Sequence, residues 1–291
     1  MKFQQKIFIN ACPTGMVSDK SHNFNIPITC VEIIEQSLLL ASLGAAILHL
    51  HARDEDGKPT WRKDIYKRII GGIREKNEHV IICVSTSGRM WSDFSRRAEV
   101  LTLEDDYKPD MASLTLGSLN FLNSASTNSP QMIVDLCQKM LDTDIKPELE
   151  IFDTGMVNQM KILIKKGILQ PPYYANILFG NIYSAQLDLQ NVNFILDNLP
   201  ENTLTAFAGI GKYQSPAVHL ALALNKGVRI GLEDNLYLDD EKRVLASNKV
   251  LVEKASLVIG AMDKKIATSQ EIRAILKLSS CHVFAATPPL V

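Results

Sequence analysis

The chain alternates short apolar runs with helical segments from one end to the other, eight times over. The apolar runs read as strands at residues 6–12, 45–53, 79–86, 111–117, 147–153, 175–181, 204–210 and 228–234. Between them, apolar residues recur at helical spacing. In 29–43 these are Ile33, Ile34, Leu38 and Ala41, and Thr29 with Glu32 forms a capping-box pattern at the start. Segments 130–141 and 215–224 behave likewise, the second with Pro216 placed for a first helical position. Strand, helix, strand in this rhythm means parallel strands joined by right-handed crossovers. Eight such units in 291 residues predict an α/β fold, a closed (β/α)8 TIM barrel, with an open doubly wound sheet as the alternative. No Gly/Ser-rich linker divides the chain. Residues 1–278, ending in a helix over 268–278, are therefore assigned to one catalytic barrel domain, and 279–291 to a C-terminal tail with Pro288 and Pro289.

Composition removes several classes of function. A net charge of -1 and the lack of a basic block give no footprint for nucleic acid. Five scattered cysteines (Cys12, Cys30, Cys83, Cys137, Cys281) include no C-x-x-C pair, which argues against a disulfide framework or a cysteine-rich zinc site and for a reducing compartment. The apolar run before Asn10 is too short for a secretory leader, and the run over 38–50, broken by Ser42 and Gly44, falls short of the roughly 20 residues of a membrane span. A soluble cytoplasmic protein without membrane or nucleic-acid partners is expected.

In such barrels the active site lies at the C-terminal ends of the strands. The polar residues there are Thr14 after strand 1, His49 and His51 on strand 2, Ser85 and Thr86 on strand 3, Ser113 and Thr115 on strand 4, Glu148 and Glu150 on strand 5, and Arg229, Glu233 and Asp234 on strand 8. Side chains at i and i+2 share a strand face, so His49 and His51 converge. They read either as a hydrogen-bonded pair or as metal ligands. Strands 8 and 2 are separated only by strand 1 in a closed barrel, which makes Glu233 the natural third ligand, a surface salt bridge being its other reading. Two imidazoles and a carboxylate leave an open coordination position and favour zinc first, with manganese and ferrous iron also allowed.

Asp234, next in the chain, should point elsewhere along the loop, where it could accept a proton from a carbon acid. Arg229 is the candidate partner for Glu150, because a carboxylate in a barrel mouth needs a cation. These acids and Arg229 also fit a structural ion-pair network. The run Ser85-Thr86-Ser87-Gly88 offers hydroxyls and N–H groups for an anionic oxygen before a helix. Gly209-Ile210-Gly211 fits either a phosphate cradle or a tight turn, and no nucleophile elbow is present.

With these residues set out, the chain resembles the β-keto acid cleavage enzymes, typified by 3-keto-5-aminohexanoate cleavage enzyme. The likeness is carried by segments 27–29, 44–54, 85–88, 111–114, 147–155 and 228–235, with Ser247-Asn248 and Ala267-Thr268, in order from about residue 6 to 276. The resemblance implies a zinc-dependent barrel, commonly a homotetramer, that condenses a β-keto acid with acetyl-CoA and releases acetoacetate and a new acyl-CoA. It places zinc on His49, His51 and Glu233, makes Asp234 the base at C2 with Arg229 and Glu150 tuning it, and puts Ser85, Gly88 and Ser113 on the substrate's carboxylate and neighbouring atoms, with Thr14 beside the substrate.

The lysine-fermentation member carries an acid after its Thr-Gly that meets a substrate ammonium. Here Thr14-Gly15-Met16 leads to Val17, with Asp19 two residues late, so an uncharged or apolar acyl tail is expected in place of a cationic one. Thr115 and Ser87 stand where relatives often have Asn and Gly. Two other functions fit a barrel of this kind. A metal-dependent hydrolase would need further histidine ligands, for which His79 and His219 are badly placed. A catalytically silent small-acid binder has no need of the full His49, His51, Glu233 and Asp234 set.

Overall fold

The computed structural model describes residues 6–279, and eight parallel strands close into a barrel in chain order. They are β1 (Ile9–Ala11), β2 (Ala45–Leu50), β3 (Ile81–Val84), β4 (Met111–Thr115), β5 (Lys146–Ile151), β6 (Tyr173–Phe179), β7 (Thr203–Gly209) and β8 (Gly227–Ile230). Closure is made by β8 pairing with β1, with Arg229 opposite Asn10. The doubly wound alternative is thereby excluded.

The outer helices are α1 (Cys30–Ser42), α2 (Lys63–Arg74), the short α3 (Phe94–Ala98), α4 (Pro130–Asp142), α5 (Thr154–Lys165), α6 (Leu189–Asn198), α7 (Gln214–Ala223), α8 (Asn248–Ala261) and α9 (Ser269–Leu276). Thr29 caps α1 with the expected reciprocal bond from Glu32, and Thr268 with Glu271 does the same for α9. Helix α7 starts at Gln214, so Pro216 sits at its third position, not its first. The tail lies outside the described residues beyond Ser279, as does Cys281. Among the described residues, no helix is long and apolar enough to cross a membrane.

Every barrel strand ends before its expected boundary, and three show why. The first divides: Lys6–Ile7 pairs with Lys265–Ile266, and only Ile9–Ala11 enters the barrel. The second ends at Leu50, and after His51 the chain turns into an antiparallel ladder of Ala52–Arg53 with Pro59–Thr60. The eighth ends at Ile230, because the N–H groups of Asp234 and Asn235 fold back onto the Gly231 carbonyl at 3.2 Å each. No Cβ is tolerated at Gly231, where it would lie 2.1 Å from the Cys12 carbonyl oxygen.

The interior changes character along the barrel axis. At the N-terminal end, Phe8, Ile47, Ile81, Met111 and Ala206 pack together, and Ile272 and Leu276 of α9 close the floor. One layer higher, Asn10, His49, Glu148, Asn176 and Arg229 are all almost completely buried. Apolar branched side chains usually fill a barrel at this height. The buried polar layer therefore requires an internal network of partners, and it lies directly beneath the mouth. Removing the α9 plug is expected to cost stability alone: Leu276→Ala should lower the unfolding free energy by about 2–5 kcal/mol. Urea unfolding checks this, and a loss below about 1 kcal/mol would contradict the packing role.

Candidate active site and metal centre

Strand β5 alternates Glu148 and Glu150 onto the inner face, and the two carboxyls meet different neighbours. Glu148 is fully buried and accepts from Asn10 Nδ2 at 2.8 Å, while its other oxygen lies 2.6 Å from His49 Nδ1 and 3.4 Å from Arg229 Nη1. Burial opposes its ionisation, yet His49 and Arg229 hold its pKa below the ordinary range. Burial and Arg229 oppose protonation of His49, but Glu148 and Glu233 raise its pKa. In the neutral ring, a proton on Nδ1 facing Glu148 leaves the Nε2 lone pair toward His51 and Glu233. Glu150 stands nearer the mouth, accepts from Thr115 Oγ1 at 2.6 Å and lies 3.6 Å from Arg229 Nη1. Burial raises its pKa against the pull of Arg229.

Arg229 therefore serves more than the one acid expected of it. Its Nη2 lies 3.0 Å from Glu233, and its Nε lies 3.0 Å from Asp234. In an extended strand, Glu233 and Asp234 would face opposite sides. The turn after Gly231 overrides that alternation, so Asp234 does not point elsewhere along the loop but comes back onto the same guanidinium. The Cys12 thiol also donates to Asp234, at 3.3 Å. Burial works against the charge on Arg229, but Asp234 and Glu233 more than compensate and raise its pKa.

The three expected ligands converge. His49 Nε2 and His51 Nε2 are 3.3 Å apart, His51 Nε2 is 3.1 Å from Glu233 Oε1, and His49 Nε2 is 3.7 Å from Glu233 Oε2. Donors about 2.0–2.1 Å from one tetrahedral ion are spaced about 3.3–3.4 Å apart, so the triad has the dimensions of a zinc site. Glu233 Oε2 is buried without a hydrogen-bond partner. Burial disfavours its ionisation, but Arg229 and both imidazoles hold Glu233 well below the usual carboxylate range. Burial lowers the pKa of His51, which keeps a ligating lone pair available. An orphaned carboxylate oxygen facing two imidazole nitrogens fits a divalent cation. A second group, His49, Cys83 and Glu148, is also compact. There burial pushes the Cys83 thiol well above its ordinary pKa, and Glu148 already takes His49 Nδ1, so it is not a ligand set.

The cleft above the triad is lined by His51, Ser85, Glu150, Arg229, Glu233 and Asp234 on its polar side. Gly15 completes its floor: a Cβ there would lie 2.7 Å from Glu233 Cγ. Arg53 reaches across to the carbonyls of Gly15 and Ser18 and fixes this loop. Thr14, Gly88 and Ser113 do not line the cleft. Thr14 is fully buried, and Ser113 accepts from the Thr86 N–H at 3.2 Å beneath the surface. Gly88 packs against Thr127, where a Cβ would lie 2.5 Å from the carbonyl oxygen.

The Ser85–Gly88 run differs from expectation in a second way. The N–H groups of Ser85, Thr86 and Ser87 are already bonded within the protein, and α3 begins only at Phe94. The Gly209–Gly211 stretch is a tight turn, its N–H groups at Ile210 and Gly211 taken by Phe179 and Asp234. His79 and His219 are exposed and away from the site.

Sequence reasoning missed Asn10, Cys12, Tyr174 and Arg89. Phe8, Asn10 and Cys12 share one face at period two, which was the available signal for the first two. Asn10 bonds both Glu148 and the Tyr174 hydroxyl, which in turn donates to Asn176 at 2.8 Å.

The model of the family described as beta-keto acid cleavage enzyme matches residues 6–278. The chain belongs to this family. A member from Acetoanaerobium sticklandii, 3-keto-5-aminohexanoate cleavage enzyme, is 33% identical over 277 residues, covering 94% of this chain and 99% of the relative. A 3-oxoadipate:acetyl-CoA acetyltransferase from Cupriavidus necator is 32% identical, covering 98% and 99%. A 3-dehydrocarnitine:acetyl-CoA trimethylamine transferase from Rhizobium meliloti is 30% identical, covering 96% and 99%. Among solved structures, apo ObcA shares the fold with a TM-score of 0.72 at 19% identity, covering 87% of this chain and 66% of that one.

The geometry gives two expectations for the metal centre. Purified protein should hold one zinc or similar divalent ion per chain by elemental analysis, and His49→Ala should abolish retention. Removing the carboxylate behind His49 with Glu148→Gln should weaken metal affinity about 10–100-fold in a chelator competition. Unchanged affinity in that variant would contradict the orienting role of Glu148.

Proposed function

We propose that the protein is a zinc-dependent β-keto acid cleavage enzyme that condenses a β-keto acid with acetyl-CoA and releases acetoacetate and a new acyl-CoA. The observation that carries this reading is one cleft in which His49, His51 and Glu233 converge and a buried guanidinium holds both Glu233 and the Asp234 carboxylate beside them. Relatives named for acetyl-CoA-dependent transfer support the co-substrate. The four described cysteines are free thiols, which supports a reducing, cytoplasmic setting.

His49, His51 and Glu233 would hold the cation, which would supply Lewis acidity to the keto acid. Asp234 removes a proton from C2, the carbon between the two carbonyls. Arg229 orients the Asp234 carboxylate through Nε, and the Cys12 thiol donates to the same oxygen, Oδ2. The C2 carbanion attacks the thioester carbonyl of acetyl-CoA and expels the CoA thiolate. The thiolate then adds to the original ketone carbon, and the bond from that carbon to C2 breaks. Asp234 returns the proton to C2, which leaves acetoacetate and the new acyl-CoA. Glu150, tied to Thr115 and near Arg229, tunes the charge around the base.

Asp234→Asn should keep a full complement of zinc and lose about 10²–10⁴-fold in turnover, the usual worth of a positioned general base. The assay is acetoacetate release from acetyl-CoA and a panel of β-keto acids. Near-normal rates would refute the base assignment, and hydrolysis independent of CoA would favour a metal-dependent hydrolase.

A further inference from the structure

The cleft has a second charged end that the proposed chemistry does not use. Arg89 lines it at the mouth, together with Ser87, Thr115, Phe121 and Ser126. The guanidinium stacks on the Phe121 ring with Cζ 3.6 Å from the centroid, and Nε donates to Ser124 Oγ at 3.3 Å. It makes no ion pair among the described residues, and both terminal nitrogens remain available. Arg229, the other cation lining the cleft, is fully engaged with acids. Burial lowers the Arg89 pKa, and Glu233 is the one acid opposing that loss. Leu119, Phe152 and Leu178 give the same cleft an apolar lining.

We propose that Arg89 is a specificity-determining residue that binds an anionic group at the far end of the acyl tail, so that the substrate is a β-keto dicarboxylic acid. This rests on the function proposed above. With the carboxyl end of the substrate on the acidic, metal-binding floor, the ketone substituent runs along the apolar wall, which suits methylene groups. A terminal carboxylate then meets the two free nitrogens of a guanidinium already fixed by Phe121 and Ser124, in bidentate geometry. Val17, which also lines the cleft, brings no charge to it. The sequence alone pointed to an uncharged or apolar tail, because Val17 follows Thr14-Gly15-Met16 in place of an acid.

Two measurements on zinc-loaded protein test this. In the first, kcat/KM is compared for 3-oxoadipate and 3-oxohexanoate with acetyl-CoA, in the wild type and in Arg89→Met, which keeps an apolar stem over Phe121. The wild type should prefer the dicarboxylate at least tenfold, and that ratio should collapse in the variant through loss on the dicarboxylate, with Arg89→Lys between the two. Equal use of both substrates by the wild type, or a proportional loss on both in Arg89→Met, would overturn the proposal.

In the second, binding of adipate and hexanoate is measured by calorimetry without turnover. Adipate should bind at least tenfold more tightly, and the gap should close in Arg89→Met. If neither keto acid is turned over but the binding gap is present, the anion site stands and the cleavage reading falls. If both are turned over without preference, the cleavage reading stands and the anion site falls.

Discussion

One buried guanidinium makes the rest of this barrel mouth possible. Glu148, Glu150, Glu233 and Asp234 converge within a few ångströms of each other, and without compensation their repulsion and desolvation would keep them neutral or apart. Arg229, 1% exposed on β8, reaches all four. Its single charge cannot neutralise four carboxylates, which leaves the site with an excess of negative charge. Glu148 discharges part of that excess onto His49, and Glu150 does so by a raised pKa. Of these four acids, Glu233 is the one with a buried oxygen that has no hydrogen-bond partner. The proposed divalent cation between Glu233 and the two imidazoles would complete this balance.

The same charge arrangement ties the metal centre to the base. Arg229 touches Glu233 through Nη2 and Asp234 through Nε, so the proposed ligand and the proposed base are held by one side chain. The polar layer beneath orients it: Asn10 and His49 fix Glu148, and Glu148 fixes the imidazole that faces the metal position. The apolar floor under α9 seals this layer from water at the other end. Charge thus grades along the cleft, from an acidic interior to the unpaired Arg89 at the rim.

Much of this was legible in the sequence, for identifiable reasons. Strand periodicity placed His49 and His51 on one face, and closure of an eight-unit barrel brought Glu233 to them across β1. Both are consequences of regular geometry, which a pattern of apolar residues encodes. The errors occur where the backbone leaves that geometry. The turn after Gly231 returns Asp234 to Arg229, although a strand would separate them. At 85–88 the expected helix N-terminus is a loop in which the N–H groups of Ser85, Thr86 and Ser87 are already spent, and Gly88 and Ser113 do not line the cleft. Arg89 was invisible because its role depends on where the Leu119–Asn120 and Ala125–Ser126 ladder places Phe121, a long-range fact with no local signature.

The account turns on which atoms surround the cation, and X-ray absorption at the zinc edge of the loaded protein reads them directly. Scattering from two imidazole nitrogens and a carboxylate oxygen at about 2.0–2.2 Å, with no sulfur shell, is the predicted result. A sulfur shell at about 2.3 Å, which would place the metal beside Cys83, or a spectrum without imidazole, would contradict the central claim.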